Sequence, residues 1–176
     1  MKLDANSYAS SVGFGTVTAI SADGSFAAAS SPSLNNGNVY AFVSNVTNNN
    51  TYTLVANIGQ RSGGVKFGAS LDIAGNLLYI GNPGDGVSSY GRVHVHRFDG
   101  VSAFPWTQTL SSPSLSNIGD LFGASISASE DKAWLYIGAP NAGNVYVYHT
   151  TGVGTYTYAN TISIGSSSAA QFGYTV

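Results

Sequence analysis

Charge is scarce in this chain. Asp, Glu, Lys and Arg make up 8% of its 176 residues, with six cations against eight acids and a formal net charge of −2. An average soluble domain is about 25% charged. With no basic field to neutralise phosphates, a nucleic-acid partner is not expected. Cysteine is absent, which excludes a disulfide framework, a thiolate nucleophile and a zinc–thiolate site. No apolar run approaches the roughly 20 residues that span a bilayer, so membrane insertion is not expected either. Met1-Lys2-Leu3-Asp4-Ala5-Asn6 lacks the apolar core of a secretory signal. Nor does any window sustain apolar residues at helical spacing. Gly, Ser, Asn, Thr and Tyr fill the places that charge leaves. That composition suits a β-rich protein outside the cell, at a cell surface or in a virion, and this is the expected location.

Against these absences stands a repeat. Phe-Gly occurs at Phe14-Gly15, Phe67-Gly68, Phe122-Gly123 and Phe172-Gly173, a spacing of about 50 residues, and such a period marks a propeller, solenoid or array. The second copy continues with Leu77-Leu78-Tyr79-Ile80-Gly81-Asn82-Pro83 and Gly91-Arg92-Val93-His94-Val95-His96. The third continues with Leu135-Tyr136-Ile137-Gly138-Ala139-Pro140 and Gly143-Asn144-Val145-Tyr146-Val147-Tyr148. The first is more degenerate, with Ser30-Ser31-Pro32 and Gly37-Asn38-Val39-Tyr40-Ala41-Phe42. Each copy holds four β-prone runs separated by turn residues. Alternate residues of a strand share a face, so Val145 and Val147 line one face and Tyr146 and Tyr148 the other. Both faces are apolar, which predicts sheets stacked on each side by neighbours. The expected fold is therefore all-β: propeller-type blades of four antiparallel strands, at residues 14–66, 67–121 and 122–171, with 172–176 opening a further copy.

Phe-Gly, Leu-Tyr-Ile-Gly-Ala-Pro and Gly-Asn-Val-Tyr-Val-Tyr together resemble the FG-GAP repeat, which builds the propeller of integrin α subunits and of many microbial surface and lectin-like proteins. The resemblance implies a propeller and leaves function open, since such folds host many activities. Some FG-GAP copies carry a calcium loop of alternating acids. The matching segments here, around Asp23, Asp72 and Asp131, lack that acid density, so the family's calcium sites do not carry over.

Leu3 stands before Phe14 as Leu54 stands before Phe67 and Leu110 before Phe122. The chain is thus expected to start in the tail of a fourth strand and to stop in the opening of a first, with an overhanging strand at each end. Closed propellers use about four to eight blades, so three repeats call for further blades of a longer chain, for a second subunit, or for an open assembly.

Candidate sites are few. His94 and His96 share a strand face, as metal ligands do, but they occupy the places of Tyr40 and Phe42 and of Tyr146 and Tyr148. They read as flat rings between blades, and no metal or other cofactor is implied. Tyr90, Phe104 and Trp106 lie on or beside the longest variable loops, where aromatic faces suit protein or glycan ligands. Asp85 is either a turn residue or a weak ligand position. Asn45-Val46-Thr47 and Asn49-Asn50-Thr51 are glycosylation sequons. No catalytic motif of recognised spacing is present. The reading from sequence is a non-enzymatic recognition or adhesion module that binds protein or glycan through blade loops. The alternatives are an architectural subunit and a propeller-scaffolded glycan hydrolase or lyase.

Overall fold

The structure, a computed structural model, describes residues 13–33, 36–45, 51–60, 65–85, 90–114, 119–152, 154–164 and 171–176. Among them are twelve strands and no helix. Three four-stranded antiparallel sheets follow one another along the chain. The first comprises β1 (Thr18–Ile20), β2 (Phe26–Ser31), β3 (Asn38–Asn45) and β4 (Thr51–Gly59). The second comprises β5 (Ser70–Ala74), β6 (Leu77–Asn82), β7 (Arg92–Arg97) and β8 (Trp106–Ser111). The third comprises β9 (Ser125–Ala128), β10 (Trp134–Ala139), β11 (Asn144–Gly152) and β12 (Thr155–Ser163). Each sheet is a meander, and in each the third and fourth strands are bulged. The first strands lie side by side, with β5 between β1 and β9.

The period-two pattern decides how blades stack. Val39 and Ala41 of β3 face the second blade, in one cluster with Leu71, Ile73, Leu78, Ile80 and Phe67. Val93 and Val95 of β7 face the third, in a cluster with Ile126, Leu135, Ile137, Tyr146, Tyr148 and Phe122. Each slot thus joins small residues of one blade's third strand to larger apolar residues of the next blade. Burying one Leu or Ile side chain is worth about 1.5–3 kcal/mol, so these slots supply most of the cohesion. His94 sits in the aromatic set, its ring 5.5 Å from that of Phe67. Phe14 stands likewise 5.4 Å from Tyr40, and Phe122 5.7 Å from Tyr146.

The repeated glycines make a joint between blades. Ser70 Oγ donates to Gly123 O at 2.8 Å, and Ser125 Oγ donates to Gly173 O at 2.8 Å. Gly15, Gly68, Gly123 and Gly173 have φ between +81° and +88°, the left-handed region that glycine enters without strain. At Gly123 a Cβ would also lie 2.6 Å from Arg92 O. At Gly138 it would collide with the carbonyl oxygen of Gly173. The first blade departs from this joint, with Val17 where the others have Ser70 and Ser125 and Ser30 in the place of Gly81 and Gly138.

At the C-terminal end, residues 171–174 form the turn that precedes a first strand, closed by a hydrogen bond from Tyr174 N to Gln171 O. Phe172–Val176 is not itself a strand. It takes the docking position that Phe122-Gly123 takes on the preceding blade. The expected N-terminal overhang lies outside the described residues.

Candidate active site

The two ends of the blades differ in chemistry. Strands β1, β5 and β9 begin at what we call the entry end, where the inter-blade joints lie. The hairpins β1–β2, β5–β6 and β9–β10 turn at the far end. Both carboxylates that the described residues place at the entry end, Asp85 and Asp120, are buried, at 1% and 2% exposed.

Asp85 follows the end of β6, and its amide donates to Asn82 O at 3.1 Å. Its Oδ2 stands 3.6 Å from Arg92 Nη1 and 3.4 Å from His94 Nε2. These are ion-pair distances, longer than a good hydrogen bond. Nδ1 of His94 lies 3.2 Å from Thr109 Oγ1, so the imidazole spans Thr109 and Asp85. Asn82, directly across the ladder from Arg92, is fully buried, and neither atom of its carboxamide has a hydrogen-bond partner. Tyr90 closes the same loop and is half-buried, its carbonyl accepting from Phe122 N at 3.3 Å. That contact sets the Asp85–Arg92 group against the linker into the third blade.

That linker carries Asp120. Its Oδ2 is buried without a hydrogen-bond partner, and burial raises its pKa above the ordinary carboxylate value. Nearby, Asn141 Nδ2 donates to Gly119 O at 2.8 Å, tying the linker to the β10–β11 turn. A carboxyl whose pKa is raised by burial is a candidate general acid or base. Asp120 was missed in the sequence. The repeat held the signal: Asp120 precedes Leu121-Phe122 where Val65 precedes Lys66-Phe67.

The other sequence candidates separate. Phe104 is 5% exposed, stacked on Phe26 and Phe98, and its carbonyl accepts from His96 Nδ1 at 2.8 Å. It is core, at the far end. Trp106 is 46% exposed, donates from Nε1 to Thr109 Oγ1 at 3.0 Å, and edges a shallow hollow of about 340 Å³ with Arg97, Asp99 and Pro105. A second hollow, of about 240 Å³, lies beside Lys132, Asp131 and Leu77, also at the far end. The structure therefore brings Asp85 and Tyr90 together and leaves Phe104 and Trp106 apart from them. Asn45 ends β3 and is exposed; Asn49 lies outside the described residues. Among those residues no three His, Cys, Asp or Glu side chains converge as a metal site.

No family model and no curated protein matches the chain, so the FG-GAP likeness rests on the repeat residues. Solved structures do match. A candidate 6-phosphogluconolactonase from Bacteroides fragilis superposes with a TM-score of 0.66 at 12% identity, over 90% of this chain and 40% of its own. One from Bacteroides uniformis gives 0.59 at 20% identity, over 84% and 40%. A periplasmic gluconolactonase from Pseudomonas aeruginosa gives 0.60 at 17% identity, over 85% and 40%. This chain has their propeller fold and spans about two-fifths of their length. These neighbours correct the non-enzymatic reading. The like-folded proteins are named as lactonases, and the display or adhesion role expected from the sequence is set aside. The physical reason for the error is that no local motif joins Asp85, Arg92 and Asp120. Asp85 pairs with Arg92 across one blade, and Asp120 is buried on the linker that follows it.

Proposed function

We propose that the chain contributes its blades to a propeller enzyme that hydrolyses a lactone of a sugar acid, with the entry end as the reaction site. The observation that carries the reading is Asp120, whose buried carboxyl has an unpartnered oxygen and a raised pKa at the same end of the blades as Asp85 and Arg92. The names of the like-folded lactonases supply the bond to be broken.

The chemistry is acid–base. Ionised Asp120 takes a proton from water as the water oxygen bonds to the lactone carbonyl carbon. Collapse breaks the bond from that carbon to the ring oxygen. The proton passes to the ring oxygen and the open hydroxy acid leaves. A base above the ordinary carboxylate pKa is stronger at this task. Arg92, braced by Asp85, supplies a fixed positive charge at the same end.

The test is acid release from glucono-1,5-lactone, followed by pH-stat above the spontaneous rate. Asp120→Asn is expected to lower kcat about a hundredfold or more, the usual scale of general acid–base catalysis. Equal turnover by both proteins, or none above the spontaneous rate, overturns the reading.

A further inference from the structure

We infer that the entry-end mouth of the slot between the first and second blades binds an oxyanion of the ligand, phosphate or carboxylate, through Arg92 and Lys66. The inference rests on the lactone-hydrolase reading only for the kind of molecule that bears the anion.

Three observations converge on this place. The first is the sign of the exposed charge. Among the described residues, Lys66 and Arg92 are the charged side chains that the entry end shows to solvent, since Asp85 and Asp120 are buried. The far end exposes Asp23, Asp99, Glu130 and Asp131 against Arg97 and Lys132. With the buried Asp85 and Asp120 counted, the entry end is about neutral while the far end carries a surplus of negative charge, so an anion meets less repulsion at the entry end, where the exposed charges are cations.

The second is the bracing of Arg92. Its side chain is 40% exposed while the Asp85 side chain that holds it is fully buried, 3.6 Å away. The guanidinium rests against that buried carboxylate and is part exposed to solvent. A planar fork held this way loses little freedom on binding, and its geometry matches phosphate and carboxylate oxygens.

The third is what surrounds it. Val65 pairs with Gly84, which runs exposed Lys66 alongside the turn from Asn82 to Asp85. Asn82 lies across the ladder from Arg92 with both carboxamide atoms buried and without hydrogen-bond partners. Buried polar groups are nearly always satisfied, and a carboxamide offers both a donor and an acceptor. A hydroxylated anion seated at Arg92 presents partners of both kinds on this side.

Titration calorimetry on the full chain, with no turnover required, tests this. The probes are 6-phosphogluconate, gluconate and uncharged glucitol. At least one anion is expected to bind at low salt, weakening as salt rises, with glucitol much weaker. The stronger anion identifies the group held. Arg92→Gln is expected to weaken that anion about tenfold or more, the loss of a charged hydrogen bond. Lys66→Gln, at an exposed position, is expected to weaken it by a smaller factor, and Arg97→Gln at the far end to leave it unchanged. Melting curves confirm that each variant folds. Glucitol binding as tightly as the anions, no binding by either anion, or loss in Arg97→Gln equal to that in Arg92→Gln overturns the inference. If anions bind as expected but no lactone opens, the site stands and the hydrolase reading falls.

Discussion

At the far end of the blades, Asp23, Asp99 and Asp131 are exposed and each closes its own turn. Asp23 Oδ1 accepts from Ser21 Oγ at 2.7 Å, Ser25 N at 2.9 Å and Ser25 Oγ at 2.7 Å. Asp99 Oδ1 accepts the amides of Val101, Ser102 and Ala103. Asp131 accepts from Ser129 Oγ and Ala133 N. These bonds favour the ionised form and lower all three pKa values, that of Asp23 to about 2. At the entry end Asp120 is buried, an oxygen without a partner, and its pKa moves the other way. The far-end acids serve the fold. The entry-end acid works against it, and a group held against its own solvation is where function is to be sought.

The largest effect that sharpens this contrast lies in the joints. Gly123→Ala puts a Cβ against Arg92 O in a left-handed backbone, so it is expected to cost about 3 kcal/mol in urea unfolding. Gly15→Ala has a similar φ but open space around it, and is expected to cost only about 1–2 kcal/mol. Equal costs would mean that the close approach is not what fixes glycine at the entry end. Asp120→Asn separates activity from stability. It is expected to lose turnover while melting above the wild type at pH 7, since a buried ionised group is removed. A lower melting point would place Asp120 among the structural acids.

The smallest effect is at the far end. Asp23→Asn is expected to melt about 2 °C lower at pH 7, a fraction of what a core change costs in a chain of this size. The two variants then differ in how they respond to acid. A lowered pKa gives stability that is present above the ordinary value of 3.8 and lost as pH falls through about 2, so the deficit of Asp23→Asn closes in that window. A raised pKa carries a penalty that is complete above the raised value and gone below the ordinary one. The gain of Asp120→Asn therefore also fades on acidification. Calorimetric scans from pH 7 to pH 2 are expected to bring both variants to the wild type from opposite sides.

Much of the fold was legible because the repeat writes it several times. Phe-Gly gave the phase, the Val and Tyr sets of β11 gave two apolar faces, and comparison with Tyr40 and Tyr146 placed His94 among packing rings. The site was harder to read. Asp85 and Asp120 are buried by tertiary packing that no spacing along the chain encodes. Asp85 looked like a turn residue and does sit in a turn, but its burial and its pairing with Arg92 are tertiary features that the local sequence does not signal. Phe104 looked like a loop aromatic because its neighbours, Gly100 to Ala103, are loop residues. Its ring turns inward onto Phe26 and Phe98, a tertiary choice that local composition does not signal.

The bond from Ser125 to the carbonyl of Gly173 repeats that from Ser70 to Gly123, and it uses one hydroxyl, one main-chain oxygen and two residues without side chains. Nothing in it is particular to one blade. A gene segment encoding such a unit carries both halves of its own connector, so a copy inserted in frame meets its neighbours without compensating changes. Lengthening by duplication is then an easy route for this architecture, while loops at the rim drift independently. The first blade, with Val17 and Ser30 in the connector positions, shows how far one link can diverge and still hold its place.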